Sequence, residues 1–188
     1  MKLSLSWIKD YVKIPEDMDL KKLAYDLTMS TVEVEDVEYL ARRFDKMVVG
    51  VIEKVEPHPN ADKLRVCQVD VGEDESKTIV CGGINLKEGM RVAVSCPGAL
   101  VRWHGEGEPV VIKNSKLRGV ESYGMICASD EIGLSELFPA SEEAEILDLS
   151  DFDVPAGTPL AKALDMDDVL LEIDNKSMTN RPDLWGHY

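Results

Sequence analysis

Six short runs rich in β-branched and other apolar residues follow one another between Met47 and Ser129: Val48–Val55, Leu64–Val71, Thr78–Val80, Met90–Ser95, Val110–Ile112 and Gly124–Ala128. Short strands at this spacing, separated by turn signals, predict a small barrel or sandwich. The separating segments carry their own chemistry. His58-Pro59-Asn60-Ala61-Asp62 has the proline and Asx residues of a tight turn, Cys81-Gly82-Gly83 permits positive φ, and Cys96-Pro97-Gly98 breaks the fourth run.

Helical and strand-like material lies on both sides of this β-rich middle. Ser6 is the expected N-cap of a helix over Trp7–Val12, and Asp19 that of a helix over Leu20–Leu27, with Pro15 between them. From Thr31 the period changes to two, as Val32, Val34 and Val37 interleave with Glu33, Glu35 and Asp36. Beyond the middle, Pro155 to Pro159 introduces a short helix over Leu160–Leu164 with Thr158 as its expected cap, and Asp168–Ile173 reads as a buried strand. The fold class expected is α+β: residues 1–40 form the first part of an outer domain, 41–151 an inserted barrel, and 152–188 the returning part. The last fourteen residues, Asn175 to Tyr188, are dense in polar side chains and stop without a cap or tail, as a cut through a longer chain would. Their Asn, Ser, Thr and Asp side chains suit a junction knitted by bonds to backbone more than a ligand site.

The formal charge of −15 excludes a chain that attracts phosphate or anionic lipid over its whole surface, so any nucleic-acid contact has to be local. Charge is unevenly placed. Ser129 to Asp153 holds nine acidic residues and no Lys or Arg, whereas His58 to Ala128 holds nine of each sign. The four cysteines, Cys67, Cys81, Cys96 and Cys127, stand singly, which argues against a zinc knuckle or a redox dithiol; three sit in apolar runs as small buried hydrophobes. With no run of about 20 apolar residues and no leader-like start, the reading is a reduced cytoplasmic protein with no membrane partner.

Catalysis requires a constellation, and the three histidines, His58, His104 and His187, have no Cys, Asp or Glu at ligand or triad spacing. Gly82-Gly83 lacks the Lys and Ser/Thr of a phosphate loop. No catalytic residue, metal ligand or cofactor site is therefore expected. A better signal lies in the segment that joins the first two strands and in the one that precedes the last. Asn60, Lys63, Arg65, Lys113, Ser115, Lys116, Arg118 and Ser122 supply cations and hydrogen-bonding groups where a small barrel presents loops to an oligonucleotide. An ordinary solvated loop is the competing reading, because Trp103 and Tyr123 are the only aromatics between Met47 and Ala128.

His58-Pro59-Asn60-Ala61-Asp62-Lys63-Leu64, Ile79-Val80-Cys81-Gly82-Gly83 and Leu117 to Ile126 closely resemble the EMAP-type tRNA-binding OB domain. Leu5-Ser6-Trp7-Ile8-Lys9-Asp10-Tyr11-Val12 and Asn175 to Asp183 with Gly186-His187-Tyr188 resemble the N-terminal region of the bacterial phenylalanyl-tRNA synthetase β subunit; Leu184-Trp185 departs from that family's usual tail. The resemblance implies an OB-type β-barrel inserted into a small discontinuous α+β domain. It also implies a non-catalytic tRNA-binding and assembly module whose parent enzyme uses ATP and Mg2+ to attach phenylalanine to its tRNA. The implied partners are tRNA, held weakly and without sequence preference, and the α subunit and remaining β subunit of an α2β2 enzyme. A structural spacer without tRNA affinity and a free-standing tRNA-binding protein are the alternatives.

Overall fold

The computed structural model of the chain describes residues 1–174; the polar tail from Asn175, with its expected junction role, lies outside the described residues. In chain order the elements are β1 (Lys2–Ser4), α1 (Leu5–Lys9), α2 (Leu20–Ser30), β2 (Glu33–Tyr39), β3 (Met47–Pro57), β4 (Arg65–Asp70), β5 (Lys77–Cys81), β6 (Arg91–Ser95), β7 (Leu100–Val101), β8 (Val110–Val111), β9 (Ser115–Leu117), β10 (Val120–Ser122), β11 (Met125–Ile126), α3 (Leu160–Ala163) and β12 (Val169–Asp174). Contacts divide them into two compact units, residues 1–41 with 166–174, and Arg42–Asp165.

The first unit is a three-stranded antiparallel sheet in the order β1-β12-β2 with α1 and α2. β12 is central and supplies Leu171 and Ile173 to its core. Asp19 caps α2 as expected, its carboxylate accepting from the Lys21 and Lys22 amides. The cap of α1 differs from expectation. Ser4 Oγ, not Ser6, accepts from Trp7 N, and the helix ends at Lys9 instead of Val12. Ser6 lies inside the helix, where Asp168 Oδ1 accepts from its amide and Asp168 Oδ2 from its hydroxyl, as it does from the Ser4 hydroxyl. Burial alone would raise the Asp168 carboxyl, but the hydrogen bonds from Ser4, Ser6 and Val169 outweigh it and hold the group below its ordinary value.

The second unit is built on a five-stranded antiparallel sheet in the order β11-β6-β3-β4-β5. β3 is long enough to serve two neighbours, pairing β6 through Met47–Val51 and β4 through Val51–Pro57, with a register shift between Ile52 and Lys54. A bulge bends the strand and increases its twist, which lets one sheet curl. The curl nearly closes, since Tyr123 N, just before β11 at one edge, donates to Thr78 O of β5 at the other at 2.9 Å. Ile52, Val69, Ile79, Val92, Val94 and Ile126 fill the interior, each worth about 1.5–3 kcal/mol of transfer from water. The result is mostly β and barrel-like. Gly50 faces this core where a Cβ would meet Val94 and Val69 side chains, so only a residue without one fits the crossing.

The segment over 155–165 packs in this unit, although the sequence pattern placed it in the returning outer part. Gly157 N donates to Val49 O at 2.8 Å, Val49 N donates to Thr158 O at 2.9 Å, and Leu160 is fully buried. Thr158 does not cap α3; its hydroxyl donates to Pro155 O at 2.7 Å, and Pro159 takes the cap position without a side-chain bond. The local turn competes for the hydroxyl and wins.

Candidate nucleic-acid interface

β9 and β10 form a hairpin whose two-residue loop is Arg118-Gly119. Both loop residues have positive φ, 46° and 100°, as a hairpin turn matched to right-handed strand twist requires. Gly119 adopts this freely, while Arg118 carries a Cβ there at a cost of roughly 1–2 kcal/mol. Neighbouring groups hold the loop in place. Asn60 Nδ2 donates to Arg118 O at 3.0 Å, and His58 Nε2 lies 3.2 Å from Leu117 O. Asn60 N donates to His58 Nδ1 at 3.0 Å, so Nδ1 is the acceptor and the ring hydrogen sits on Nε2, directed at Leu117 O. His58 is buried, a strut between the β3–β4 turn and the hairpin tip.

Around this clamp, Asn60, Lys63, Arg65, Lys113, Ser115, Lys116 and Arg118 are exposed. Asn60 and Arg118 are brought into direct contact, and Lys63 and Arg65 flank the end of the same turn. Arg65 folds back so that its guanidinium donates to Asp62 O and Leu64 O, both at 3.3 Å. Ser122 does not belong to the exposed set. It is buried, its hydroxyl accepts from Val80 N and donates to Gly124 O, both at 3.0 Å, and it ties the hairpin to β5. Ser115 and Ser122 are Cα partners and share a face of the hairpin, but Ser122 lies where the hairpin meets β5, which covers it.

A cleft of about 580 Å³ opens between β5 and the hairpin, lined by Thr78, Asn114, Lys116, Val120, Glu121 and Tyr123 among others. Tyr123 is fixed in it. Lys77 Nζ sits 5.2 Å from its ring centroid, and the phenol donates to Glu73 Oε1 at 3.3 Å. Burial, first of several causes, pushes the phenol above its ordinary value; the Lys77 hydrogen bond holds Glu73 below its own. Trp103, the other aromatic of the middle segment, is 56% exposed on a separate turn.

Cys67, Cys81 and Cys127 are buried, and burial pushes their thiols up to about 11, about 12 and about 12. Among the described residues no group of three His, Cys, Asp or Glu could hold a metal ion, and no helix is long and apolar enough to cross a membrane.

The sequence pattern did not single out the cleft residues Thr78, Asn114 and Glu121, and it read His58 as part of a turn without its bond to the hairpin. The hairpin strands are polar and three residues long, and Arg-Gly is not the usual hairpin dipeptide, so neither strand carried a periodic signal.

A curled antiparallel barrel bearing exposed cations about a clamped turn and hairpin defines a small binding domain of the kind that takes oligonucleotides. The chain belongs to the family described as "Putative tRNA binding domain", which matches residues 47–159. It is 42% identical to the phenylalanine–tRNA ligase β subunit of Oceanobacillus iheyensis over 97% of this chain and 22% of the relative. It is also 42% identical to that of Chlorobium luteolum over 100% of this chain and 22% of the relative. The chain thus spans about a fifth of the length of the curated relatives it matches. Among solved structures, the "MetRS related protein from Pyrococcus horikoshii" is 25% identical, with a TM-score of 0.42, over 61% of this chain and 87% of that one.

Proposed function

We propose that this chain binds tRNA through phosphate contacts made by Lys63, Arg65, Lys113, Lys116 and Arg118, without reading sequence. The observation that carries this reading is local: in a chain of net charge −15, exposed cations gather around one turn and one hairpin that buried His58 and Asn60 hold together. Phosphates are met by such cations, and Asn60 and Ser115 add hydrogen-bonding groups that carry no base preference. Membership of the tRNA-binding family supports the same ligand.

The likeness to phenylalanine–tRNA ligase β subunits supports a wider setting for this reading. The chain is the N-terminal, non-catalytic tRNA-binding and assembly module of a phenylalanyl-tRNA synthetase β subunit, with an OB-type barrel inserted into a discontinuous α+β domain. The parent enzyme is an α2β2 assembly in the cytoplasm that uses ATP and Mg2+ at a site outside these residues. With only a few phosphate contacts the interaction is weak, and counterion release makes it steeply salt-dependent. A titration of unmodified tRNA against the chain at falling ionic strength tests this. Absence of association even at about 20 mM salt, where the Debye length is roughly 20 Å, sinks the reading and leaves a structural spacer.

A further inference from the structure

Of the cations proposed to meet phosphate, Lys116 also lines the cleft between β5 and the hairpin, and the composition of that cleft points to more than an anion. At about 580 Å³ it has the volume of a small-molecule site. Lys116 and Glu121 are Cα partners across the hairpin, so their side chains stand on one face. Among the described residues they form no ion pair with each other, and neither side chain makes a hydrogen bond. Tyr123 lies in the same cleft with its ring already fixed by Lys77 and Glu73, so ordering it costs a ligand nothing. Asn114 adds an amide that makes no hydrogen bond among the described residues.

A cation and a carboxylate side by side with an aromatic ring suit a ligand that is anionic at one end, flat in the middle and rich in N–H donors at the other. An unpaired nucleotide has that constitution. Its phosphate is repelled by Glu121 and drawn to Lys116, which fixes the direction in which it enters. Its base then lies along Tyr123, on the ring face that Lys77 leaves open, with its Watson–Crick edge toward the carboxylate. Guanine alone presents two adjacent N–H donors, N1–H and the 2-amino group, on that edge; a carboxylate accepts both. Adenine and cytosine place an acceptor beside their amino group, and uracil has a single N–H between two carbonyls.

We propose that this cleft seats one unpaired guanosine of the bound RNA, with Glu121 accepting from the base, Tyr123 stacking on it and Lys116 meeting its phosphate. This rests on the tRNA-binding reading and adds a position of base preference to an otherwise sequence-blind surface. The test uses the 188-residue chain and labelled single-stranded RNAs of about five nucleotides, within the span one such barrel covers. All-uridine, central-adenosine and central-guanosine versions are titrated by fluorescence anisotropy at about 0.1 M salt. The guanosine oligomer should bind roughly tenfold more tightly than the other two. Glu121→Gln should bring all three within about twofold of one another at unchanged melting temperature, and Lys116→Ala should weaken all three alike.

Equal affinity for the guanosine and adenosine oligomers overturns the Glu121 assignment and with it the proposal. So does a preference that survives Glu121→Gln. Failure of all three oligomers to bind while tRNA still binds overturns the cleft and leaves the tRNA-binding reading standing. Failure of tRNA as well removes both.

Discussion

The side-chain amide of Asn60 donates to the main-chain carbonyl of Arg118 across 58 residues of sequence, at 3.0 Å. This bond and the neighbouring His58–Leu117 contact join the first inter-strand turn to the tip of the β9–β10 hairpin. The cations of both segments therefore form one surface. Asn60→Ala should lower stability by about 1 kcal/mol and weaken tRNA binding, although it removes no charge. Parallel melting curves and titrations check it; unchanged binding means that the clamp does not organise the patch.

Arg118 allows charge and backbone strain to be separated. Arg118→Gly relieves about 1–2 kcal/mol of positive-φ strain, offset in part by the roughly 0.5–1 kcal/mol entropic cost of glycine, and should raise stability modestly, while it lowers the slope of log K against log salt by about 0.7–0.9 for the lost contact. Lys116→Ala together with Arg118→Ala should lower the slope by about twice that. Lys87→Ala, on the loop before β6, should leave it nearly unchanged. A slope that stays constant in the double variant places the phosphates elsewhere.

The acidic segment lies close to one end of the patch. A Cβ on Gly82 would touch Leu64, beside Arg65, while Gly83 packs on Ile146 and Asn85 exchanges two 2.9 Å hydrogen bonds with the Ile146 backbone. Glu142→Gln with Glu143→Gln should strengthen tRNA binding, more at low salt than at high, because repulsion is screened over roughly 10 Å at 0.1 M. Glu145 is left out, since its carboxylate accepts from the Ser141 and Glu142 amides. Titration at two ionic strengths decides it.

Gly72 and Gly157 touch backbone to backbone, both with φ near 80°. A Cβ on Gly72 would stand 2.6 Å from Gly157 Cα, and one on Gly157 would stand 2.7 Å from Gly72 Cα. Gly72→Ala should therefore cost more than about 2 kcal/mol, with strain and collision acting together. Gly89→Ala has the same positive φ and open space around it, so it measures the strain alone. Denaturant midpoints of the two variants give the difference.

Asp168 sets an acid limit on the first unit. Its folded carboxyl lies below the ordinary value of 3.8, so the ionised form is favoured by folding. Its contribution is fully present above that ordinary value and is lost as pH falls through the lower folded one. Asp168→Asn should be less stable than the parent at neutral pH, and the gap should close as pH drops below about 4. Urea midpoints measured across that range check the sign.

The β-rich middle was legible in the residues because alternation and turn chemistry are local. Val48–Val55 and Leu64–Val71 became β3 and β4 within a few residues, and Asp19 caps α2 as its position before an apolar stripe requires. The short polar strands β9 and β10 were not legible, since three residues carry no period and their partners are each other and β5. Ser6 lies inside α1 and Ser4 takes the cap, because the strand before the helix ends at Ser4 and Asp168, far along the chain, accepts from both hydroxyls.

By itself, then, the sequence determined which stretches extend, where they turn, and that cations concentrate in two segments of an acidic chain; these follow from nearest-neighbour sterics and composition. Tertiary structure alone decided that His58 is a strut, that Ser122 faces inward, and that Lys116, Glu121 and Tyr123 share one cleft. A hydrogen bond or a cleft wall between distant residues depends on how the sheet curls. That curl is decided by long-range strand pairing and core packing, which no local pattern encodes.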